Sequence, residues 1–299
     1  MNEQIFRGII PAMATPFGAN EVLDLERLQE LLADYLACGV HGISVAGSQG
    51  EFFALEQDEH IKLLEVTVKA VAGKVPVYAG TGGVTTRDSI RITAAAEGLG
   101  ADLALLITPY FVQPSQDELV EHYVAVAKST KLPVLLYNNP PRTAVNILPS
   151  TLERCMKAAP NIIGIKDSSG DVTQSIEYVL QTGGLLYSGR DTIALSLLLH
   201  GASGAISPAA NVFPRLMIRL YETFCSGEIK EAQRISNILA PLRAAWALGS
   251  FPVVIKEAMR MVGRGAGLTR RPILELAREK RATLERVVAA IQAEEVKVS

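Results

Sequence analysis

Asn161-Ile162-Ile163-Gly164-Ile165-Lys166-Asp167-Ser168-Ser169-Gly170-Asp171 is the stretch on which the fold of this chain turns. Ile162, Ile163 and Ile165 are β-branched, and the apolar run is too short for a typical helix, so the pattern predicts a buried parallel strand. Gly, Ser and Asp close the run and suit the cap of a following helix. Lys166 falls where the strand ends. An ammonium there is costly unless it is paired or its pKa falls, and a lysine of lowered pKa is a nucleophile toward carbonyls. The plainer alternative is a lysine leaning into water or paired with Asp167, because structural ion pairs perturb lysines too.

Outward from this strand, apolar β-branched runs recur at 8–14, 42–46, 75–79, 103–108, 133–137, 185–188 and 204–207, with helical patterns between them. Together with 162–166 they make eight strands alternating with helices, which predicts an α/β fold of the closed (β/α)8 TIM-barrel type. A doubly wound open sheet also alternates, but it usually carries a Gly-rich turn after its first strand. Here that strand runs into Ala14-Thr15-Pro16-Phe17, with no G-x-G-x-x-G, which disfavours a dinucleotide site. Leu25, Leu28, Leu31, Leu32 and Tyr35 recur at helical spacing between a capping Asp24 and a terminating Gly39. Further helical patterns at 214–224, 229–248, 252–262 and 272–293 outrun a bare barrel. The expected division is a barrel over 1–224 carrying the active site and a C-terminal helical region over 225–299.

Composition narrows the function classes. With 48% hydrophobic and 20% charged residues in a chain of 299, a large core is available and disorder is not expected. A net charge of −2 with no basic run argues against nucleic acid as a partner. Cys38, Cys155 and Cys225 lie far apart with no C-x-x-C pair, as buried thiols in a reducing compartment would. No secretory pattern and no run of 18 apolar residues is present, so a cytoplasmic protein off the membrane is expected.

Barrel chemistry gathers at the C-terminal ends of the strands. Those ends read Thr15-Pro16, Gly47-Ser48-Gln49-Gly50-Glu51, Gly80-Thr81-Gly82-Gly83, Thr108-Pro109-Tyr110-Phe111, Tyr137-Asn138-Asn139-Pro140, Lys166-Asp167-Ser168, Ser188-Gly189-Arg190-Asp191 and Ser207-Pro208. Hydroxyls and glycines dominate, with one lysine. His41, His60, His122 and His200 precede a strand or lie within helices, so no metal and no other cofactor is expected. Three features suit one reaction. Lys166 can form a Schiff base with a 2-oxo acid, which turns the carbonyl into an electron sink for the neighbouring C–C bond. The turn 47–50 can hold a carboxylate on its N–H groups, with Ser48 adding a hydroxyl. Tyr137, ending the preceding strand, can move a proton. Taken singly, the turn is also read as a tight connection and Tyr137 as a half-buried aromatic with a satisfied hydroxyl.

In this order and spacing, Gly47-Ser48-Gln49-Gly50-Glu51, Ala79-Gly80-Thr81-Gly82, Thr108-Pro109-Tyr110, Leu136-Tyr137-Asn138 and Gly164-Ile165-Lys166-Asp167 resemble the dihydrodipicolinate synthase and N-acetylneuraminate lyase family of Schiff-base aldolases. The resemblance spans nearly the whole chain. It implies Lys166 as Schiff-base lysine, Tyr137 as proton shuttle, Ser48 with Gln49 as carboxylate site, and Gly189 and the Ile206 backbone as pyruvate-pocket wall. It also implies pyruvate, free or as part of the substrate, and a homotetramer built from dimers.

The departures bear on the reaction. The synthase has two threonines at Ser48-Gln49, and its second relay tyrosine, lent across a dimer interface, falls at Phe111. Asn139-Pro140-Pro141-Arg142-Thr143 resembles the synthase segment whose arginine binds the carboxylate of aspartate semialdehyde. Arg190 replaces an acidic residue common at its position. The runs 47–52 and 166–173 look closer to 4-hydroxy-2-oxoglutarate aldolases. The expectation is therefore a pyruvate-dependent class I aldolase acting on a small, carboxylate-bearing aldehyde, with 4-hydroxy-2-oxoglutarate or a 2-keto-3-deoxy sugar acid as examples. The alternatives are the dihydrodipicolinate synthase of lysine biosynthesis and a keto-acid-binding member without turnover.

Overall fold

The computed structural model describes residues 5–298. Its strands are β1 (Gly8–Pro11), β2 (Ile43–Val45), β3 (Val77–Gly80), β4 (Leu103–Ile107), β5 (Val134–Asn138), β6 (Ile162–Asp167), β7 (Leu185–Ser188) and β8 (Gly204–Ser207). All the ladders are parallel, and the order β1-β8-β7-β6-β5-β4-β3-β2 runs consecutively around a ring. A single bridge, Ala12 to Ser44, joins β1 to β2 and brings the ring nearly to closure. This is the TIM barrel that the alternation predicts.

The helices are α1 (Leu25–Cys38), α2 (Gln57–Val71), α3 (Thr86–Leu99), α4 (Gln116–Lys128), α5 (Pro140–Thr143), α6 (Pro149–Ala158), α7 (Val172–Thr182), α8 (Ala194–Leu199), α9 (Pro214–Cys225), α10 (Ile229–Ala244), α11 (Val253–Met261) and α12 (Arg278–Val298). Their ends follow the capping chemistry: Asp24 accepts the Arg27 N–H at 2.9 Å, and Ser115 with Glu118 forms a capping box on α4. The last helix starts at Arg278, six residues later than the pattern suggests. Pro272 has no N–H, and the segment before it is held elsewhere: the Arg270 guanidinium pairs with Glu59, and the Arg271 N–H donates to Glu21 at 3.0 Å. None of the described helices is long and apolar enough to cross a membrane.

Two apolar clusters separate along each strand by alternation. Val134 and Leu136 face the helices, whereas Leu135 and Tyr137 face the barrel interior with Ile10, Leu105 and Tyr187. The lower end is plugged: Phe6 meets Tyr78 edge-on at 5.9 Å, and the Tyr78 and Tyr187 hydroxyls lie 3.0 Å apart. The open space is at the upper end.

Strand β6 contains the irregularity that matters most. Strict alternation from an inward Ile163 would turn Ile165 inward and Lys166 outward. Instead the register against β5 slips between Val134 and Leu135, so that Val134 pairs with Ile162 but Leu135 with Gly164. The extra residue leaves Ile165 with the outer cluster and pairs Lys166 with the inward Tyr137. Only glycine fits at the slip. Gly164 has φ +153, and a Cβ there would lie 2.0 Å from the Leu185 carbonyl oxygen. Gly164→Ala should therefore cost about 1–3 kcal/mol or more in urea unfolding. It should also slow borohydride trapping of pyruvate, because Lys166 no longer faces the cavity; unchanged stability and trapping would refute the parity argument.

The C-terminal helices are bound into the barrel's upper end. Lys256 on α11 and Glu51, just after the Ser48 turn, form a fully buried pair at 2.6 Å, and the Arg270 N–H donates to Glu51 at 3.1 Å. Burial pushes the Lys256 ammonium down to about 8, against the pull of Glu51. Removing one partner strands the other charge, so Lys256→Met should destabilise by about 3–5 kcal/mol, and the double variant Glu51→Gln/Lys256→Met by clearly less. Equal losses in the two unfolding curves would show that the pair is not coupled.

Candidate active site

At the upper end of the barrel a cavity of about 90 Å³ is lined by Ser48, Gln49, Tyr137, Lys166, Gly189, Arg142 and Arg190. Seven of the eight residues singled out in the sequence thus meet at one place. The eighth, Ile206, is fully buried in the inner cluster, and its side chain does not line the cavity. Pro208, two residues further on, does.

Register brings the two central groups together. Tyr137 on β5 and Lys166 on β6 are direct partners, so their side chains leave the sheet on the same face. Lys166 is 4% exposed, with Nζ 4.0 Å from the Tyr137 ring centroid. It does not lean into water, and Asp167 is engaged elsewhere, with Ser169, Ser175 and the Asn138 amide. Burial pushes the Lys166 ammonium below its ordinary value, more than Tyr137 and Asp191 lift it. Burial alone would raise the Tyr137 phenol. The Lys166 ammonium and hydrogen bonds from Ser48, Ser168 and Asn139 outweigh that effect and hold the phenol below its usual range. The Asn139 amide donates to the phenol oxygen at 2.8 Å. The result is an amine that gives up its proton easily beside a phenol that does the same. Such a pair can attack a carbonyl and pass protons within one enclosure.

The turn after β2 is a single 3-10 turn, Ser48–Gly50. The N–H groups of Gly50, Glu51 and Phe52 fold back on the carbonyls of Gly47 and Ser48, so they are spent within the turn. This is a narrower cradle than Gly47-Ser48-Gln49-Gly50 suggests on paper. Gln49 supplies something else: it is 3% exposed, and neither its Oε1 nor its Nε2 has a hydrogen-bond partner among the described residues. A buried amide left open costs about 1–3 kcal/mol, and this one lines the cavity, where it can accept from or donate to a polar group.

Sequence reasoning missed several walls. Asn139 and Ser168 stand one residue beyond strands β5 and β6, where the strand-end rule points without assigning roles. Arg243, Trp246 and Phe251 come from the end of α10 and the segment after it, and they roof the cavity. The Arg142 guanidinium lies 4.3 Å over the Phe251 ring, and that of Arg243 lies 4.0 Å over Trp246. The region 225–299 therefore shares in building the cavity. Phe111 does not: it is 98% exposed, with φ 72, a left-handed conformation strained for a phenylalanine.

Known proteins share both the sequence and the architecture. The model of the dihydrodipicolinate synthetase family matches residues 5–291. A 4-hydroxy-tetrahydrodipicolinate synthase of Methanosphaerula palustris is 40% identical over 290 residues, covering 95% of this chain and 99% of the relative. The crystal structure of dihydrodipicolinate synthase from Aquifex aeolicus superposes with a TM-score of 0.93 at 34% identity, covering 96% of this chain and 98% of that one. YagE, a prophage protein of the same family from E. coli K12 solved in complex with pyruvate, gives 0.92 at 30% identity, covering 96% and 99%. A buried lysine and tyrosine in register on a TIM barrel, within a chain so similar over its length, make it a member of the dihydrodipicolinate synthetase family of Schiff-base-forming, pyruvate-dependent lyases.

Proposed function

We propose that this chain joins pyruvate to a small carboxylate-bearing aldehyde, or runs the reverse cleavage, through an imine on Lys166. The observation that carries the reading is the buried Lys166 amine facing Tyr137 across a small cavity. The neutral amine adds to C2 of pyruvate and water departs, giving the imine. Loss of a C3 proton yields the enamine, whose C3 attacks the aldehyde carbon; the aldehyde oxygen takes up a proton, and water releases the product from Lys166. Tyr137 moves these protons, relayed by Ser48. Ser48 and Gln49 hold the pyruvate carboxylate, with Gly189 and the Ile206 backbone as wall. Arg142 binds the carboxylate of the aldehyde.

The names of the relatives support the 4-hydroxy-tetrahydrodipicolinate synthase reaction over the cleavage of 4-hydroxy-2-oxoglutarate that the local motifs favour. Aspartate semialdehyde is accordingly the first aldehyde to test. A second reading, an acidic aldehyde without an amine, draws on Arg190 and on Phe111, which cannot relay a proton. The proposal includes a homotetramer in the cytoplasm. The exposed Phe111 and Phe53 suit a covered face, and three free thiols suit a reducing compartment, although only Cys155 is buried as the sequence leads one to expect, with Cys38 half-buried and Cys225 exposed.

The test is pyruvate consumption, followed by mass spectrometry, with aspartate semialdehyde, glyoxylate and acetaldehyde in turn. Consumption with the acidic aldehydes and little with acetaldehyde is expected. Equal use of acetaldehyde would contradict the role of Arg142, and an imine without consumption of any aldehyde would leave a keto-acid-binding member.

A further inference from the structure

Four cationic side chains line the cavity: Lys166, Arg142, Arg190 and Arg243. Among the described residues no carboxylate lines it, and none of the three guanidiniums takes part in a salt bridge. Each guanidinium is held by neutral groups instead. Arg142 and Arg243 rest on the rings of Phe251 and Trp246. Arg190 donates Nε to the Ser168 carbonyl at 3.0 Å and packs on Gly170, where a Cβ would come within 2.7 Å of its Cζ. Arg243 feels the repulsion of both Arg190 and Arg142. Asp191, whose charge offsets part of that repulsion, is buried and does not line the cavity, accepting from Ser207 Oγ at 2.5 Å and from the Ala209 N–H at 3.4 Å. Trp246 Nε1–H is buried without a hydrogen-bond partner among the described residues.

Holding three guanidiniums on one cavity wall with no carboxylate in its lining is unfavourable unless something negative arrives to face them. An ammonium arriving there would face these cations with no carboxylate on the cavity wall to receive it. We propose that Arg190 and Arg243, with Trp246, form an anion subsite at the cavity mouth that selects an aldehyde carrying carboxylate and no ammonium group. The inference rests on the proposed pyruvate chemistry at Lys166 and names the class of its second substrate. Arg142 grips one carboxylate in either case. Arg190 and Arg243 share that carboxylate with it, and their charges turn away an aldehyde carrying an amine on the adjoining α-carbon.

Aspartate semialdehyde and succinic semialdehyde differ only in that amine, so they form the test pair. For the full-length protein, kcat/KM with pyruvate saturating should favour succinic semialdehyde by at least about tenfold. The ratio should fall toward unity in Arg190→Gln/Arg243→Gln and be retained in Arg190→Lys, which keeps the charge. A ratio measured within each variant is insensitive to any misfolded fraction. Borohydride trapping of pyruvate on each protein, scored first, separates the two ideas: failed trapping counts against the imine reading. The subsite is then read by calorimetry with succinate and aspartate, where succinate should bind at least about tenfold more tightly. A preference for aspartate semialdehyde, equal use or no use of the two by an enzyme that traps pyruvate, or equal binding of succinate and aspartate, would overturn the subsite.

Discussion

Lys166→Ala will lose turnover by a factor on the order of 10⁶, the scale seen when an enzyme loses its covalent nucleophile. The expectation follows from one bond. Without the amine no imine forms, and the C3 proton of pyruvate has no electron sink next to it. Among the described residues no other amine lines the cavity: Arg142, Arg190 and Arg243 bring guanidinium groups, which serve as charges and hydrogen-bond donors. The fold should survive. Lys166 makes no salt bridge among the described residues, and removing a buried ammonium relieves the burial that holds its proton loosely. The checks are steady-state kinetics and the urea midpoint measured on the same preparation. Residual activity within about a hundredfold of wild type would mean that Lys166 is not the nucleophile.

Tyr137→Phe has the second-largest expected effect, a fall of about 10²–10⁴-fold in kcat, the usual contribution of general acid–base catalysis. Its pH signature separates a proton shuttle from a packing residue. Tyr137 raises the Lys166 pKa, opposing the downward push of burial. Deleting the hydroxyl removes that support, so the Lys166 pKa falls further and the neutral amine persists to lower pH. The rate of borohydride trapping with pyruvate, plotted against pH, should therefore move to lower pH in Tyr137→Phe while turnover collapses. An unmoved trapping profile with a modest loss of turnover would reduce Tyr137 to a packing role.

How far sequence reached depended on whether a contact is local. The strand pattern, the α1 caps, Lys166 and the Ser48 turn are written in windows of ten residues or fewer, and the structure puts them where those windows suggest. The inward turn of Lys166 is not written in that way. It depends on a one-residue slip at Gly164, which in sequence looks like an ordinary glycine in an apolar run. The roof is harder still. Arg243 and Trp246 reach Lys166 from about eighty residues away, off the end of a helix whose pattern signals only burial. Sequence reasoning therefore read the C-terminal helices as an appendage. Glu51, Lys256 and Arg270 instead fasten them to the turn that bears Ser48 and Gln49. The open amide of Gln49 depends on which groups surround it in space, and no short window of sequence holds that.

An imine between pyruvate and Lys166 is open to one direct measurement. The wild-type protein is incubated with pyruvate, reduced with borohydride and digested, and the modified peptide is sequenced by mass spectrometry. One pyruvate-derived adduct per chain is expected, on Lys166, absent without pyruvate and absent in Lys166→Ala. An adduct on another lysine such as Lys256, or none at saturating pyruvate, would contradict it.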